Sequence, residues 1–561
     1  MNVNRKKLLL STVSILSLTS LLIGRSNPGE STGERKDKDT VTLAWPRDVG
    51  TMNPHVYNPS QLFAQSMIYE PLVHYGEGGK LEPYLASSWK ISEDGKTYTF
   101  TLRDGVKFSD GSTFDAPIVK KNFDAILKQK ALHSWLGFIT KIEKTEAVDA
   151  KTFRLTLSEA YYPTIQELAV VRPVRFLGEA GFPKDGDTSK GVKKEVGTGP
   201  WMLDEYKPDQ YATFKVNKNY WGPKPNVNHI KVDIIPDAET RVLALEKGQV
   251  DLIYGEGAIS IDAFNQLKTD KSYKTQMSEP VATRLLVLNT KNKRLSDERV
   301  RQALQHGFDK AALVEGITSG LESPADYLLP PNMPYTSNLK VKQRDYDVKE
   351  ANRLLDEAGW KLPKGEKVRV KDGQPPQIGM MYDAAEQVQK AMAETLQSEW
   401  SKIGVELKTE AVELPDQVQR FKDNRFDINF YSNFGAPYDP HTFVNLIDTD
   451  GFGFKEAISA YPNKEQLLQE IKDVLKTTDE TKRQKMYADI LPSLQDQGAL
   501  IPISYLKKMA IYQSDVTNFQ FPTNRTKVHL LGSESTKGGM TWGSSSSNVY
   551  YPSSRSCYLL S

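Results

Sequence analysis

The side chains most able to do chemistry in this chain are seven histidines and a single cysteine among 561 residues. One thiol, Cys557, cannot close an internal disulfide or build a thiolate metal site. The histidines are scattered, and no HExxH, CxxC or His-rich tract brings them together. No G-x-S-x-G, P-loop or dinucleotide fingerprint occurs, and GTGP (197–200) is a turn without a phosphate-binding context. The residues therefore give no support for catalysis.

The length and composition are those of a soluble protein with more than one packed unit. A chain of 561 residues is too long for one core of the usual size, and 39% apolar with 26% charged residues is ordinary for a globular protein. The formal net charge is +2, and residues 1–25 hold four bases and no acid, which leaves 69 bases against 71 acids. This near-neutral balance gives no argument for nucleic acid or for a polybasic membrane contact.

The first residues have the pattern of an export signal. Three bases at 5–7 precede an uncharged stretch, which predicts a signal peptide over 1–25, with an uncleaved anchor helix as the alternative. A polar segment with Gly and Pro then predicts a flexible linker over 26–40. LIG (22–24) looks like the start of a lipoprotein box, but Arg25 stands where the lipid-bearing Cys is needed. We therefore expect an exported protein, periplasmic or associated with the cell surface, and a lipoprotein anchor is doubtful.

The elements that must position a site follow from the periodicity of the chain. Apolar residues at helical spacing, with Asp115 as a cap, predict a helix over 114–129. A near-continuous apolar strand at 283–290 is followed by a long amphipathic helix at 295–317 and by a β-α-β-β order over 378–434. This order favours an α/β fold with a mostly parallel sheet. Alternating residues predict further half-buried strands at 96–102, 151–157 and 230–236.

Several motifs are similar to one family of transport proteins. The matches extend over about residues 41–522, and those specific to one branch are HSWL (133–136), VVRPVRF (170–176) and GAPYDPH (435–441). On these motifs the chain resembles the nickel-binding branch of the solute-binding proteins of peptide and nickel ABC importers. The resemblance implies an α/β, two-lobed periplasmic-binding-protein-like fold (type II, Venus-flytrap) with an extra subdomain in lobe one. In such a fold the lobes close on the ligand, because only the closed state lets it contact both.

The resemblance also implies a domain order in which the chain crosses to the second lobe and returns. Residues 502–512 are expected to form the return strand, and the Ser/Gly-rich end is expected to be a disordered extension or a frame-shifted terminus. The predicted boundaries are 41–284 for lobe one with an inserted subdomain at about 80–205, 285–504 for lobe two, 505–522 for the return, and 523–561 for the tail.

The family resemblance identifies candidate ligand residues as well. Receptors of this branch bind a metal chelate in which small amino-acid-like molecules supply most donors, and an arginine neutralises their carboxylates. Arg172 matches that arginine, since a guanidinium can hold a carboxylate with two parallel hydrogen bonds. Each candidate also has a purely structural alternative. These are an ion pair for Arg172, core packing for Trp135, and the capping of buried strands for Tyr57 and Tyr438. The matched pocket positions are Trp135, Tyr57, Tyr438, Phe434 and Leu62, where Phe434 replaces Trp and Leu62 replaces Met.

Histidine is the open question, because Ni²⁺ suits imidazole. Some receptors of this branch add a direct His ligand from a loop soon after the DPH segment, but residues 444–457 contain none. His55, His133 and His441 lie in matched motifs and are the candidate metal ligands. A structural role is the commoner fate of each.

These expectations combine into one leading hypothesis. The chain is predicted to be an extracytoplasmic receptor that captures nickel or cobalt through a small organic chelator, with no permanent cofactor. Its predicted partners are the permease and ATPase subunits of an ABC importer, and nucleic acid is not expected. The alternative is a di- or oligopeptide receptor of the same family. Peptide receptors carry an Asp ahead of the Asp-Pro pair, whereas here GAPY (435–438) has no acid, which counts against a peptide.

Overall fold

The computed structural model describes residues 39–57, 62–76, 79–255, 257–337, 339–433, 439–516, 519–521 and 529–530. The predicted signal peptide, and nearly all of the predicted linker and tail, lie outside the described residues. The described chain has the mixed α/β architecture that the periodicity predicts. Within the described ranges, no helix combines the length and the apolar character that a bilayer crossing requires.

The strands form two large sheets, one four-stranded sheet and two small ribbons. In chain order the strands are β1 Thr40–Trp45, β2 Val73–Tyr75, β3 Leu81–Pro83, β4 Ala86–Ile91, β5 Thr97–Leu102, β6 Ile142–Ala147, β7 Thr152–Leu157, β8 Trp201–Lys207, β9 Tyr211–Val216, β10 His229–Ile234, β11 Leu252–Gly255, β12 Tyr273–Met277, β13 Ala282–Leu288, β14 Ser323–Pro324, β15 Gln377–Asp383, β16 Glu406–Val412, β17 Ile428–Ser432, β18 Leu500–Leu506, β19 Met509–Gln513, β20 Phe519–Gln520 and β21 His529–Leu530.

The helices lie between these strands and cover the sheets. They are α1 Leu62–Ile68, α2 Ala116–Lys128, α3 Gly137–Lys141, α4 Thr164–Leu168, α5 Ala238–Glu246, α6 Ile261–Leu267, α7 Glu298–His306, α8 Lys310–Thr318, α9 Val348–Glu357, α10 Gln387–Ser401, α11 Leu414–Lys422, α12 His441–Val444, α13 Phe454–Ala457, α14 Lys464–Lys476 and α15 Glu480–Asp496. A 3₁₀ turn, Glu179–Gly181, lies between α4 and β8.

The first large sheet has seven strands in the order β12-β19-β11-β1-β10-β9-β8. Its centre is parallel, because β1 pairs in parallel with both β10 and β11, and the outer strands pair antiparallel. The insertion between β3 and β8 builds the separate sheet β4-β5-β7-β6, on which α2 packs. The strands predicted at 96–102, 151–157 and 230–236 are confirmed as β5, β7 and β10.

The second large sheet has six strands in the order β14-β18-β13-β17-β15-β16. Every residue of β13 (ATRLLVL) is buried, which explains its near-continuous apolar sequence. The expectation of a mostly parallel sheet is only partly met. β17, β15 and β16 run parallel, but β13 pairs antiparallel with β17 and β18, because β18 returns alongside β13 on the way back to the first sheet.

The chain passes between the large sheets twice, at 278–281 and at 507–508. We call the part built on the first sheet, with its insertion, the first lobe, and the part between the crossings, 282–506, the second lobe. The predicted return strand 502–512 is divided between β18 of the second sheet and β19 of the first. The domain boundaries predicted from the sequence remain predictions.

The long helix predicted at 295–317 is two helices, α7 and α8. Gly307 ends the first, and the Asp309 side chain caps the second by accepting from the main-chain N–H of Ala312 at 2.9 Å. The cap predicted for α2 is confirmed, since the Asp115 side chain accepts from the N–H of Ile118 at 3.1 Å.

Candidate functional site

Arg172 lies in the loop after α4, where its guanidinium is held against Tyr57. Its Nη1 donates to the main-chain oxygen of Tyr57 at 2.8 Å, and its Cζ lies 5.2 Å from the centre of the Tyr57 ring. Partial burial lowers the pKa of Arg172 from its usual value, but a guanidinium remains charged in a protein. These two contacts orient the side chain.

The Tyr57 hydroxyl joins two further predicted residues to this arginine. Trp135 Nε1 donates to the hydroxyl oxygen at 2.6 Å, and the hydroxyl lies 2.8 Å from His133 Nδ1. Burial raises the pKa of Tyr57 to about 12, so the phenol keeps its proton at neutral pH. We call Tyr57, His133, Trp135 and Arg172 the Tyr57 cluster. Within it the Trp135 N–H is engaged by the Tyr57 hydroxyl oxygen.

His133 is the inner member of the Tyr57 cluster. Its side chain is buried, and burial lowers its pKa to about 4, so the ring is neutral at pH 7. Nδ1 lies against the Tyr57 hydroxyl, while Nε2 is buried without a hydrogen-bond partner among the described residues. His133 therefore contacts Tyr57, and its role as a metal ligand stays a prediction.

His55 is fully buried, and both of its ring nitrogens have partners. Nδ1 lies 2.9 Å from the Thr188 hydroxyl, while Nε2 faces Asn122 Oδ1 at 3.0 Å and the Arg175 carbonyl at 3.1 Å. Burial lowers its pKa to about 4, which keeps it neutral. The ring thus ties the loop after β1 to α2 and to the segment that carries Arg172.

His441 begins α12 in the second lobe, where it is buried between two carboxylates. Its Nδ1 lies 3.3 Å from Asp439 Oδ1, and its Nε2 lies 3.7 Å from Glu167 Oε1 of the first lobe. Burial raises the pKa of Glu167, an effect that His441 opposes. The structure therefore places His441 at a contact between the lobes and not in the Tyr57 cluster.

The Tyr57 cluster faces the second lobe. Asn445, which ends α12, places its Nδ2 3.5 Å from the carbonyl oxygen of Trp135. That distance is the outer limit of a hydrogen bond, so the contact shows proximity more than strength. A ligand beside Arg172 and Trp135 would lie close to both lobes.

Three predicted pocket residues lie outside what the structure describes. Phe434 and Tyr438 fall in the undescribed segment 434–438. Leu62 begins α1, but its side chain is not described. Their pocket roles stay predictions.

Sequence reasoning missed the residues that join the lobes around His441. Tyr162 and Glu167 lie in AYYPTIQEL (160–168), and Asp439 lies in the GAPYDPH motif. Both motifs stood out by similarity, but no local pattern shows that segments so far apart in the chain meet. Among the described residues, no group of three or more His, Cys, Asp or Glu side chains is arranged to hold a metal ion.

A cavity of about 720 Å³ in the second lobe is lined by none of the predicted site residues. Its walls are basic, but much of the charge is already paired. Arg420 pairs with Glu410 at 2.7 Å, and Lys291 pairs with Glu456 at 3.1 Å. The predicted ligand site at the Tyr57 cluster is therefore separate from this cavity.

Comparison with known proteins agrees with the fold and with the motifs. The family model for bacterial extracellular solute-binding proteins, family 5, matches residues 80–454. The nickel-binding periplasmic protein of Escherichia coli K12 is 41% identical over 87% of this chain and 93% of its own length. The dipeptide-binding protein of the same strain is 28% identical over 81% of this chain and 86% of its own.

A solved structure extends the likeness to three dimensions. NikA from Brucella suis in complex with Fe(III)-EDTA has a TM-score of 0.84 and 40% sequence identity, over 87% of this chain and 98% of its own. The match confirms the two-lobed fold and the resemblance to the nickel branch that the motifs predicted. Proteins of this family are solute-binding components of transport systems and not enzymes. The chain belongs to the family 5 bacterial extracellular solute-binding proteins.

Proposed function

We propose that this chain is the receptor of an ABC importer for nickel, or cobalt, that is wrapped in a small organic chelator. The receptor binds the chelate between its lobes outside the cytoplasm and delivers it to the permease, which works with an ATPase subunit. Family membership supports the transport role, and the relatives named for nickel and for a metal–EDTA complex support the metal chelate.

The observation that carries the proposal is the orientation of Arg172 in the Tyr57 cluster. The guanidinium is oriented by a carbonyl and a ring and can bind a carboxylate through two parallel hydrogen bonds, and the indole of Trp135 beside it can contribute a flat apolar wall. This combination suits the carboxylates and carbon skeleton of a chelator. A bare Ni²⁺ ion would be repelled by the arginine and would need free imidazole or carboxylate ligands.

The histidines of the described site support the same view. Both ring nitrogens of His55 and Nδ1 of His133 have partners within the protein, and burial holds both rings neutral. Most or all metal donors would then come from the chelator. His441 remains a predicted metal ligand without a contact to the Tyr57 cluster.

A peptide receptor is the second candidate, and a peptide-binding relative covers most of the chain. Thermal unfolding distinguishes the two, because a ligand that binds only the native state raises the melting temperature. We expect preformed nickel–histidine to raise it, while a mixture of dipeptides and histidine alone leave it unchanged. A shift with dipeptides and none with nickel–histidine would replace the chelate proposal with the peptide one.

A further inference from the structure

The segment that precedes α4 in the first lobe makes contacts that the proposed ligand site does not use. The main-chain N–H of Tyr162 donates to the carbonyl oxygen of Leu475 in the second lobe at 3.0 Å. The Tyr162 hydroxyl donates to Asp439 Oδ1 at 2.5 Å and lies 2.6 Å from the Tyr487 hydroxyl. Leu475, Asp439 and Tyr487 all belong to the second lobe, so each contact joins one lobe to the other.

The side chains of Tyr162, Asp439 and Tyr487 are buried, and their hydrogen-bond donors can be assigned. Tyr162 is 7% exposed, Asp439 4% and Tyr487 0%. Burial, with the Asp439 carboxylate as a further cause, raises the pKa of Tyr162 and of Tyr487 well above the usual value, so both phenols are donors at neutral pH. Because Tyr162 gives its proton to Asp439, Tyr487 must donate to Tyr162. We call Tyr162, Asp439 and Tyr487 the Tyr162 network.

The second-lobe side of the Tyr162 network is fixed by contacts of its own. Arg483 donates to the carbonyl oxygen of Thr477 at 2.9 Å and lies 3.2 Å from the Tyr335 hydroxyl. The Tyr335 ring stacks on Tyr487 with centres 5.2 Å apart. The Arg483 guanidinium also lies 4.3 Å from the centre of the Tyr162 ring, a favourable cation–π contact. The second-lobe side chains that contact Tyr162 are thus held in place by contacts within their own lobe.

The Tyr162 network is connected to the proposed site through one short helix. Asp439 Oδ1 accepts from the main-chain N–H of His441 at 3.0 Å, and so holds the start of α12. Asn445, the residue after the other end of α12, approaches the Trp135 carbonyl of the Tyr57 cluster. The hydroxyl of Tyr162 therefore acts on the element that brings the second lobe to the ligand site.

We propose that Tyr162 is a positioning residue of the receptor, whose hydroxyl ties Asp439 to the first lobe and holds the lobes in the arrangement that retains the ligand. This inference rests on the proposed function. A contact that forms as the lobes close slows ligand departure more than it speeds capture. Loss of a buried hydrogen bond to a charged group should raise the dissociation rate about tenfold or more.

The test uses Tyr162→Phe in the full mature chain, with Tyr461→Phe as a matched control. Tyr461 is also buried, but its hydroxyl donates to the Leu494 carbonyl at 2.8 Å within the second lobe. Stopped-flow measurement with nickel–histidine should show faster dissociation for Tyr162→Phe at an unchanged association rate, and wild-type rates for Tyr461→Phe. Asp439→Asn should act like Tyr162→Phe, and the double variant should lose little more than either single one.

A ligand-free distance measurement separates this inference from the proposed function. Spin labels at Glu143→Cys in the first lobe and Glu394→Cys in the second, with Cys557→Ser, report the separation of the lobes. Tyr162→Phe should move the distance distribution to longer values, and Tyr461→Phe should not. If the wild-type protein fails to bind nickel–histidine, the proposed function is wrong. The spin-label distances then test the role of Tyr162 by themselves. A wild-type distance distribution in Tyr162→Phe overturns the inference, as does a wild-type dissociation rate where the chelate binds.

Discussion

At the scale of single residues, Tyr57 contacts the three other side chains of the Tyr57 cluster. Its hydroxyl oxygen accepts a hydrogen bond from Trp135 and lies 2.8 Å from His133 Nδ1, while its carbonyl and ring hold Arg172. A fixed guanidinium beside a fixed indole loses little conformational entropy when a ligand binds. The proposed ligand, an anion with an apolar body, would therefore meet side chains that are already oriented.

Replacing Arg172 by alanine tests its predicted role. The variant should bind nickel–histidine about 1.5–3 kcal/mol more weakly, the range of a hydrogen bond to a charged group. Isothermal calorimetry measures the change. Arg154→Ala, which removes a partly exposed arginine from β7, is the matched control and should bind as wild type does. Equal affinity of Arg172→Ala and wild type would remove Arg172 from the site.

The neutral histidines predict an acid-sensitive fold. The pKa of His133 is about 4 in the folded protein and near 6.5 in the unfolded chain. The unfolded state thus binds more protons between these values, so the free energy of unfolding should fall as the pH drops from about 6.5 to 4, by up to about 3 kcal/mol for this histidine. His55 has the same shift and should add to the slope.

Urea unfolding of wild type and His133→Gln at pH 7, 6 and 5 measures this slope. Glutamine does not titrate, so the variant should lose less stability on acidification than wild type does. Val148→Ala, at an exposed position that cannot titrate, is the control and should keep the wild-type slope. Parallel curves for His133→Gln and wild type would mean that His133 is not held neutral.

The sequence predicted which residues belong to the candidate site, but not which hydrogen bonds their side chains make. Motif similarity identified Arg172, Trp135 and Tyr57 as a group. It could not show that the Trp135 N–H and the Tyr57 hydroxyl satisfy each other, because hydrogen-bond partners depend on side-chain orientation in the folded chain. His133, predicted as a metal ligand, proved to have its Nδ1 occupied by Tyr57.

At the scale of elements, α2 begins at the Asp115 cap and contacts the segment that carries Arg172. Asn122 of this helix accepts from the main-chain N–H of Leu177 at 2.7 Å and faces His55 at 3.0 Å. Local rules predicted the start of α2 because an Asp cap is encoded within four residues. The same rules missed the break between α7 and α8, because the apolar spacing continues through Gly307. The break is set by Gly307, which ends α7, and by the Asp309 side chain, which caps the start of α8.

Asp115→Ala should lower the free energy of unfolding by about 1 kcal/mol, since it removes the cap of α2. Asp124→Ala is a control on the same helix, because Asp124 takes part only in an exposed pair with Lys120 and should cost less than about 0.5 kcal/mol. Urea unfolding of both variants supplies the comparison. Equal losses would show that the α2 cap contributes nothing beyond surface charge.

At the scale of the whole molecule, two crossings and a set of buried polar contacts connect the lobes. The bond between Tyr162 and Asp439 spans 277 residues of sequence. Periodicity and capping rules act over a few residues, so the fold class and most elements could be predicted while these contacts could not. The family resemblance supplied the two-lobed architecture that local patterns alone leave open.

The account depends on a receptor that recognises the organic wrapping of a metal, and the molecules that leave the protein test this directly. The protein purified from its native host under non-denaturing conditions should release nickel or cobalt together with a small carboxylate-bearing chelator, at one of each per chain, when analysed by mass spectrometry and metal analysis. Metal released without any organic molecule, or peptides released without metal, would contradict the account.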